Sequence, residues 1–168
     1  MTMLRRFLSC TKGAAAAEMA LIAPLAVLML FTTLEAGHWM YTQHQVVKGL
    51  RDGARFAARQ SFDDVNCRNG TATISTAVVD ATKEITRTGQ LSGGSPRVSG
   101  WDAANITVEV TCPAAAVSQT GIFDPGEPAP QVTVSVINLP YDSLFNGLGV
   151  INDSVNLRGT QQAVVMGI

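Results

Sequence analysis

Residues 14–34, AAAAEMALIAPLAVLMLFTTL, form an apolar run whose polar members are Glu18 and two threonines near its end. As a helix this run rises about 31 Å, close to the hydrocarbon thickness of a bilayer. A secretory signal has a shorter apolar stretch, and only Leu34-Glu35-Ala36 offers a weak small-x-small site after it. A buried soluble helix would need a core on every side, which the rest of the chain can scarcely supply. The run therefore reads as a membrane span. Trp39 and Tyr41 follow it closely, as aromatic residues do at a membrane–water interface.

The helical pattern continues beyond the span. Met40, Val47, Leu50, Ala54 and Ala57 step by seven, three, four and three, which marks one face of a helix, and Arg51, Asp52, Arg55 and Arg59 supply its wet side. Proline is missing from residues 32–60, so the helix is free to continue. Gly37, Gly49 and Gly53 weaken it by up to about 1 kcal/mol each relative to alanine. The same glycines allow a neighbouring helix to approach closely. The expectation is one long helix over residues 14–59, half in lipid and half outside, bent at Pro24.

Residues 61–70, with Asp63, Asp64, Asn66, Asn69 and Gly70, read as a turn-rich loop. A second helix is expected over 73–87, its apolar face marked by Ile74, Ala77, Val78, Ala81 and Ile85. Residues 89–100 form a glycine- and serine-rich connection closed by Pro96. Strands then take over: ITVEVTC at 106–112 and QVTVSVI at 131–137 alternate apolar and polar residues and are expected to pair antiparallel. The intervening GIFDPGEPAP cannot continue a ladder. Residues 140–152 are mixed, with a short helical turn expected at 141–145, and 155–166 read as a third strand. The fold class is α+β: a long N-terminal transmembrane helix extending outward, a second helix and a small antiparallel sheet of about three strands. Three regions result: a leader at 1–13, the transmembrane and extended helix at 14–60, and an α+β domain at 61–168.

Charge sets the orientation. Arg5, Arg6 and Lys12 precede the span with no acidic residue among them, which leaves 9 basic against 13 acidic residues beyond Gly13. A basic flank before an apolar segment stays in the cytoplasm, so the remainder is expected outside it. The overall balance of 12 basic and 13 acidic residues gives no general attraction to nucleic acid. Cys10 lies in the leader, ahead of the apolar run and so on the wrong side of it for a lipidation signal. Cys67 and Cys112 lie in the exported part, where oxidation is permitted. Pairing them would add about 3–4 kcal/mol by constraining the unfolded chain. Two free thiols are the alternative, and the disulfide is the preferred reading.

Chemistry-bearing candidates are few. His38 and His44 are six apart and point to different helix faces, so they do not share a metal. Asp63, Asp64, Asn66 and Asn69 lack the spacing of an EF-hand loop. Asp124 and Glu127 are interrupted by prolines and have no nucleophile or histidine nearby in sequence. Neither a GxSxG elbow nor a glycine-rich phosphate loop is present. Asn69-Gly-Thr and Asn105-Ile-Thr match a glycosylation pattern too short to be more than a chance match. The sequence implies no cofactor, no metal and no catalysis.

Glu18 is the exception. A carboxylate inside a span costs roughly 2.5–3.5 kcal/mol, so intramembrane acids usually have a task. The bland alternative is that Glu18 lies near enough to the interface to snorkel or protonate. A basic leader ending in Gly13, with glutamate five residues later and an apolar helix beyond, resembles the type IV prepilin processing pattern. The stretch GAAAAEMALIAPLAVLMLFTTLEAG followed by GARFAARQ resembles the TadE-like family of the tight-adherence (Tad/Flp) pilus systems. Glu18, Pro24, Glu35, Gly53-Ala54-Arg55 and Ala57-Ala58 carry the likeness, over residues 13–60.

The resemblance implies that a prepilin peptidase cuts between Gly13 and Ala14. The new Ala14 ammonium would then pair with Glu18 of a neighbouring subunit. Either charge alone is costly in a low dielectric, so the pair would set axial register more than net stability. Glu35 would sit at the outer end of the span, as an assembly contact or as a solvated charge with equal weight. The implied role is a minor pilin or pseudopilin in the inner membrane, single-pass, available for incorporation into an extracellular pilus. Its implied partners are other Tad pilins or pseudopilins, inner-membrane platform proteins, the peptidase and the bilayer. An uncut bitopic assembly factor is the second reading, and a membrane-tethered periplasmic enzyme or binding domain the third.

Overall fold

The computed structural model describes residues 12–113, 128–146 and 155–167. The leader through residue 11 with Cys10, the loop acids Asp124 and Glu127, and residues 147–152 lie outside the described residues. The architecture is α+β, as the alternation patterns require. The first helix, α1, covers Lys12–Ala58, 47 residues, with Pro24 inside it. Two compact units meet within this helix, the first ending at His38 and the second beginning at Trp39.

In the first unit the described apolar side chains lie open. Leu21 is 78% exposed, and Met19, Ile22, Leu25, Leu28 and Leu34 are exposed as well. Thr32 and Thr33 would be costly polar groups in so apolar a stretch. Each Oγ1 instead donates to the Met29 carbonyl, at 2.9 and 2.7 Å, so the hydroxyls are satisfied within the helix itself.

In the second unit α1 buries Thr42, Val46, Gly49, Leu50, Gly53, Ala54, Ala57 and Ala58. This corrects the expected face. Met40 is 55% exposed and Val47 only half-buried, whereas Val46 is fully buried. At 100° per residue Met40 lies about 120° round the helix from Val46. The line is set by the small residues at 49, 53 and 57, which admit neighbours, rather than by the largest apolar side chains.

The loop expected at 61–70 contains more order than its composition suggests. Strand β1, Val65–Asn66, pairs antiparallel with β2, Thr73–Ile74, in the register Val65↔Ile74. Thr73 and Ile74 are therefore strand, not the start of the second helix. That helix, α2, covers Thr76–Thr88. Ser75 caps it, its side chain accepting from the Val78 N–H at 3.4 Å, which satisfies one of the orphan donors of a helix N-terminus. Gly89 ends it in the left-handed region at φ 82°, donating to the Ile85 carbonyl at 2.8 Å. The buried line of α2 is Val78, Thr82 and Thr86, while Ala77 is exposed and Ala81 and Ile85 only half-buried. The helix is thus turned away from the face its apolar residues suggest, because its threonines fit against the glycines of α1.

Strands β3 (Ile106–Thr111), β4 (Gln131–Pro140) and β5 (Asn156–Val164) form an antiparallel sheet in the order β3-β4-β5. Ile106 lies opposite Val136, Val108 opposite Val134 and Val110 opposite Val132. An irregularity between Val136 and Leu139 re-aims the end of β4, after which Leu139 faces Leu157. The inner faces of β4 and β5 join Val46, Leu50, Ala54 and Ala57 of α1 in one core. Gly159 on β5 makes this possible: a Cβ there would stand 2.7 Å from Leu50 Cδ1. Trp101, just past the glycine-rich connection, is fully buried in the same core. At the expected helical turn, Asn146 N–H donates to the Ser143 carbonyl at 3.3 Å.

Candidate functional site

Gly13 and Ala14 lie in the first described turn of α1, and Gly13 is exposed. Glu18 follows one turn later and is exposed, as is Pro24. Proline at 24 removes the N–H that would donate to the Ala20 carbonyl, leaving an acceptor for which a neighbouring group is required in a dry setting. Glu35 differs sharply from both, being only 8% exposed although Ala36 and Gly37 beside it are open.

These three positions do not converge on one point. Glu18 and Glu35 are about 26 Å apart along a straight helix axis. Pro24 and Glu35 fall within about 20° of one another around that axis, and Glu18 lies roughly 100° away from Glu35. Glu18 and Pro24 are exposed on different sides of the stem, whereas Glu35 is buried. The arrangement is not a pocket. Among the described residues no group of three or more His, Cys, Asp or Glu side chains is placed to hold a metal ion.

Cys67 and Cys112 are joined by a disulfide across 45 residues of chain, with Cα atoms 5.7 Å apart. The bond ties the segment after β1 to the end of β3. It belongs to the folded unit and has no part in the exposed surface of the first unit.

The glycines divide into two kinds. Gly37 has nothing within 4 Å of the place its Cβ would occupy. At Gly49 a Cβ would meet the Thr86 carbonyl and come within 2.7 Å of Trp101 Cη2, and at Gly53 it would collide with Thr86 Oγ1. Gly49-x-x-x-Gly53 is thus consumed by the chain's own second helix rather than left for a neighbour. The signal was present in the sequence as two glycines one turn apart, matched by Thr82 and Thr86 one turn apart. Trp101 and Gly159, which complete this packing, carried no comparable signal.

Residues 13–55 match the family model described as TadE-like protein. The N-terminal segment of this chain is TadE-like. No curated protein and no solved structure matches the chain significantly. The TadE-like segment includes Gly13, Glu18, Pro24, Glu35 and the Gly49–Gly53 pair, and it ends within one turn of the end of α1. The matched residues therefore span both the open apolar part of α1 and most of the part that builds the core. The TadE-like match falls on a helix that is long and apolar enough to cross a membrane.

Proposed function

We propose that the chain is a minor pilin or pseudopilin of a Tad (Flp) type IV pilus, working through helix–helix packing in the bacterial inner membrane. One observation carries this reading: the TadE-like match falls on a helix whose apolar side chains are exposed along residues 15–34. Such a surface is unfavourable in water and is covered by lipid or by another helix. Lipid gives stems no hydrophobic reason to associate, so specificity rests on close packing and polar contacts. Glu18 supplies the polar contact. After cleavage between Gly13 and Ala14, the Ala14 ammonium of one subunit meets Glu18 of the next and fixes their axial offset. Pro24, exposed farther along the stem, extends the contact, and Glu35, buried at the outer end, supports it from within the subunit rather than by touching the neighbour.

In this reading the leader lies in the cytoplasm and the unit beginning at Trp39 lies in the periplasm, consistent with Arg5, Arg6 and Lys12 ahead of the span. The partners are other Tad pilins or pseudopilins and the inner-membrane platform, with the prepilin peptidase acting on the leader. The test is piliation by Glu18→Gln and Glu18→Ala strains whose protein reaches the membrane at normal level. Impaired pilus output is expected, and wild-type output from both variants removes the role. Gel mobility with and without the peptidase separates a processed subunit from an uncut assembly factor.

A further inference from the structure

The turn between β1 and β2 is built on Asn69-Gly70. Asn69 has φ 54° and ψ 31°, and Gly70 has φ 72°, so both central residues lie in the left-handed region, as a type I′ turn requires. The Thr71 N–H donates to the Arg68 carbonyl at 3.1 Å and the Gly70 N–H to the Cys67 carbonyl at 3.3 Å. Asparagine tolerates this backbone where most side chains do not. No residue of Arg68–Gly70 is buried, so the turn opens by breaking these two bonds without uncovering any core.

Other asparagines of the same unit are held by their side chains. Asn66 Nδ2 donates to the Phe62 carbonyl at 3.0 Å, and its Oδ1 accepts from Thr73 Oγ1 at 2.9 Å. Asn105 Nδ2 donates to the Asn138 carbonyl at 3.0 Å, and its Oδ1 accepts from the Asp102 N–H at 3.1 Å. Asn69 is exposed, and its side chain has no hydrogen-bond partner among the described residues. Asn66, Asn105, Asn138 and Asn156 are followed by Cys67, Ile106, Leu139 and Leu157, whose side chains crowd the next main-chain nitrogen. Asn69 is followed by glycine, and nothing lies within 4 Å of the place a Cβ would occupy at position 70. A free carboxamide and an unshielded amide nitrogen are therefore neighbours on an exposed turn.

We infer that Asn69-Gly70 is a site of spontaneous deamidation. When the turn opens, the Gly70 N–H gives its proton to a base in solution and the nitrogen attacks Asn69 Cγ. The new N–Cγ bond closes a succinimide ring, the Cγ–Nδ2 bond breaks, and the carboxamide nitrogen leaves as ammonia after taking a proton from water. Water then adds to one of the two ring carbonyls. Opening at Cγ gives aspartate. Opening at the main-chain carbonyl gives isoaspartate, whose chain continues through Cβ and Cγ. Water and a base are the only co-reactants. Either product places a carboxylate beside Arg68, which pairs with Asp63 in the intact turn. Isoaspartate also adds an atom to the main chain of a turn that closes a hairpin of only two residue pairs. This chemistry is independent of the pilus reading.

The test ages the full chain in detergent, with the Cys67–Cys112 disulfide intact, in mildly acidic and mildly alkaline buffer and, in parallel, in urea. Peptide mapping by mass spectrometry locates each conversion of amide to acid, and enzymatic methyl transfer to isoaspartate counts the rearranged product. The expected result is conversion at Asn69 while Asn66 and Asn105 stay intact, at a rate that rises with hydroxide. An acidic species should accumulate on ion exchange, and Asn69→Gln should abolish the part of it that maps to this turn. Asn69 remaining intact in the folded chain, through an incubation that converts it fully in urea, overturns the proposal. Conversion of Asn66 and Asn105 as fast as Asn69 also overturns it, because the reaction would then report unfolding of the unit rather than this turn.

Discussion

Gly53 lies directly beneath Thr86: the space a Cβ would fill at position 53 is taken by the threonine hydroxyl, which donates to the Thr82 carbonyl at 2.7 Å. The contact locks α2 against α1 at a distance that no other residue permits. Gly53→Ala should lower the stability of the folded unit by about 1–3 kcal/mol through overpacking, despite alanine's helix-propensity gain of about 1 kcal/mol. Gly37→Ala, with open space around it, should leave stability unchanged or raise it by up to about 1 kcal/mol. Urea unfolding of both variants, followed by tryptophan fluorescence, distinguishes them.

Thr82 presents a different case on the same seam. It is fully buried, and its Oγ1 has no hydrogen-bond partner among the described residues. Leaving a hydroxyl unsatisfied costs about 1–3 kcal/mol. Thr82→Val keeps the shape and removes that cost, so its urea midpoint should equal or exceed that of the wild type. A clear drop would mean that the hydroxyl is satisfied in solution.

The ion pairs should rank by burial. Arg97 Nη2 meets Asp52 Oδ2 at 2.7 Å with side chains 16% and 35% exposed, tying the glycine-rich connection to α1. Arg68 meets Asp63 at 3.1 Å, but those side chains are 57% and 85% exposed. Asp52→Asn should cost about 1–3 kcal/mol because it weakens a charge-assisted bond to a half-buried guanidinium. Asp63→Asn should cost no more than about 0.5 kcal/mol. Chemical denaturation at low and high salt checks both, and only the exposed pair should fade with salt.

The disulfide closes a loop across 45 residues of chain within the folded unit. Replacing Cys67 and Cys112 together by serine should lower stability by about 2–4 kcal/mol. Cys67 is only 2% exposed, so thiol-specific labelling after mild reduction should proceed slowly in the folded protein and fast in urea. Equal rates in the two conditions would contradict this.

Periodicity carried most of the fold. The long helix, the second helix and all three long strands emerged from apolar spacing, because each buries a face that the spacing must mark. Helix faces were harder to read. Val47 and Met40 look like core residues, yet Val46 is the one buried, since the line of α1 is decided by glycines and alanines that carry little hydrophobic signal. Thr82 and Thr86 read as polar and so point outward on paper, although close helix contact selects them for the inside. The β1–β2 hairpin is too short to show alternation, and Trp101 stands alone in an irregular stretch. At the candidate surface, Gly13, Glu18 and Pro24 were legible as a pattern. The burial of Glu35 was not, because it depends on what surrounds one helical turn rather than on the turn's own sequence.

Stem-to-stem contact inside the bilayer is the central claim, and photo-crosslinking reads it directly. A photoreactive residue is placed singly at Leu21, Ile22, Leu25 and Leu28 of the full chain, in cells assembling the pilus. The account predicts protein adducts from a subset of these positions, with another stem as the partner and loss of the adducts on Glu18→Ala. Adducts to lipid alone from every position, in cells that carry pili, would contradict it.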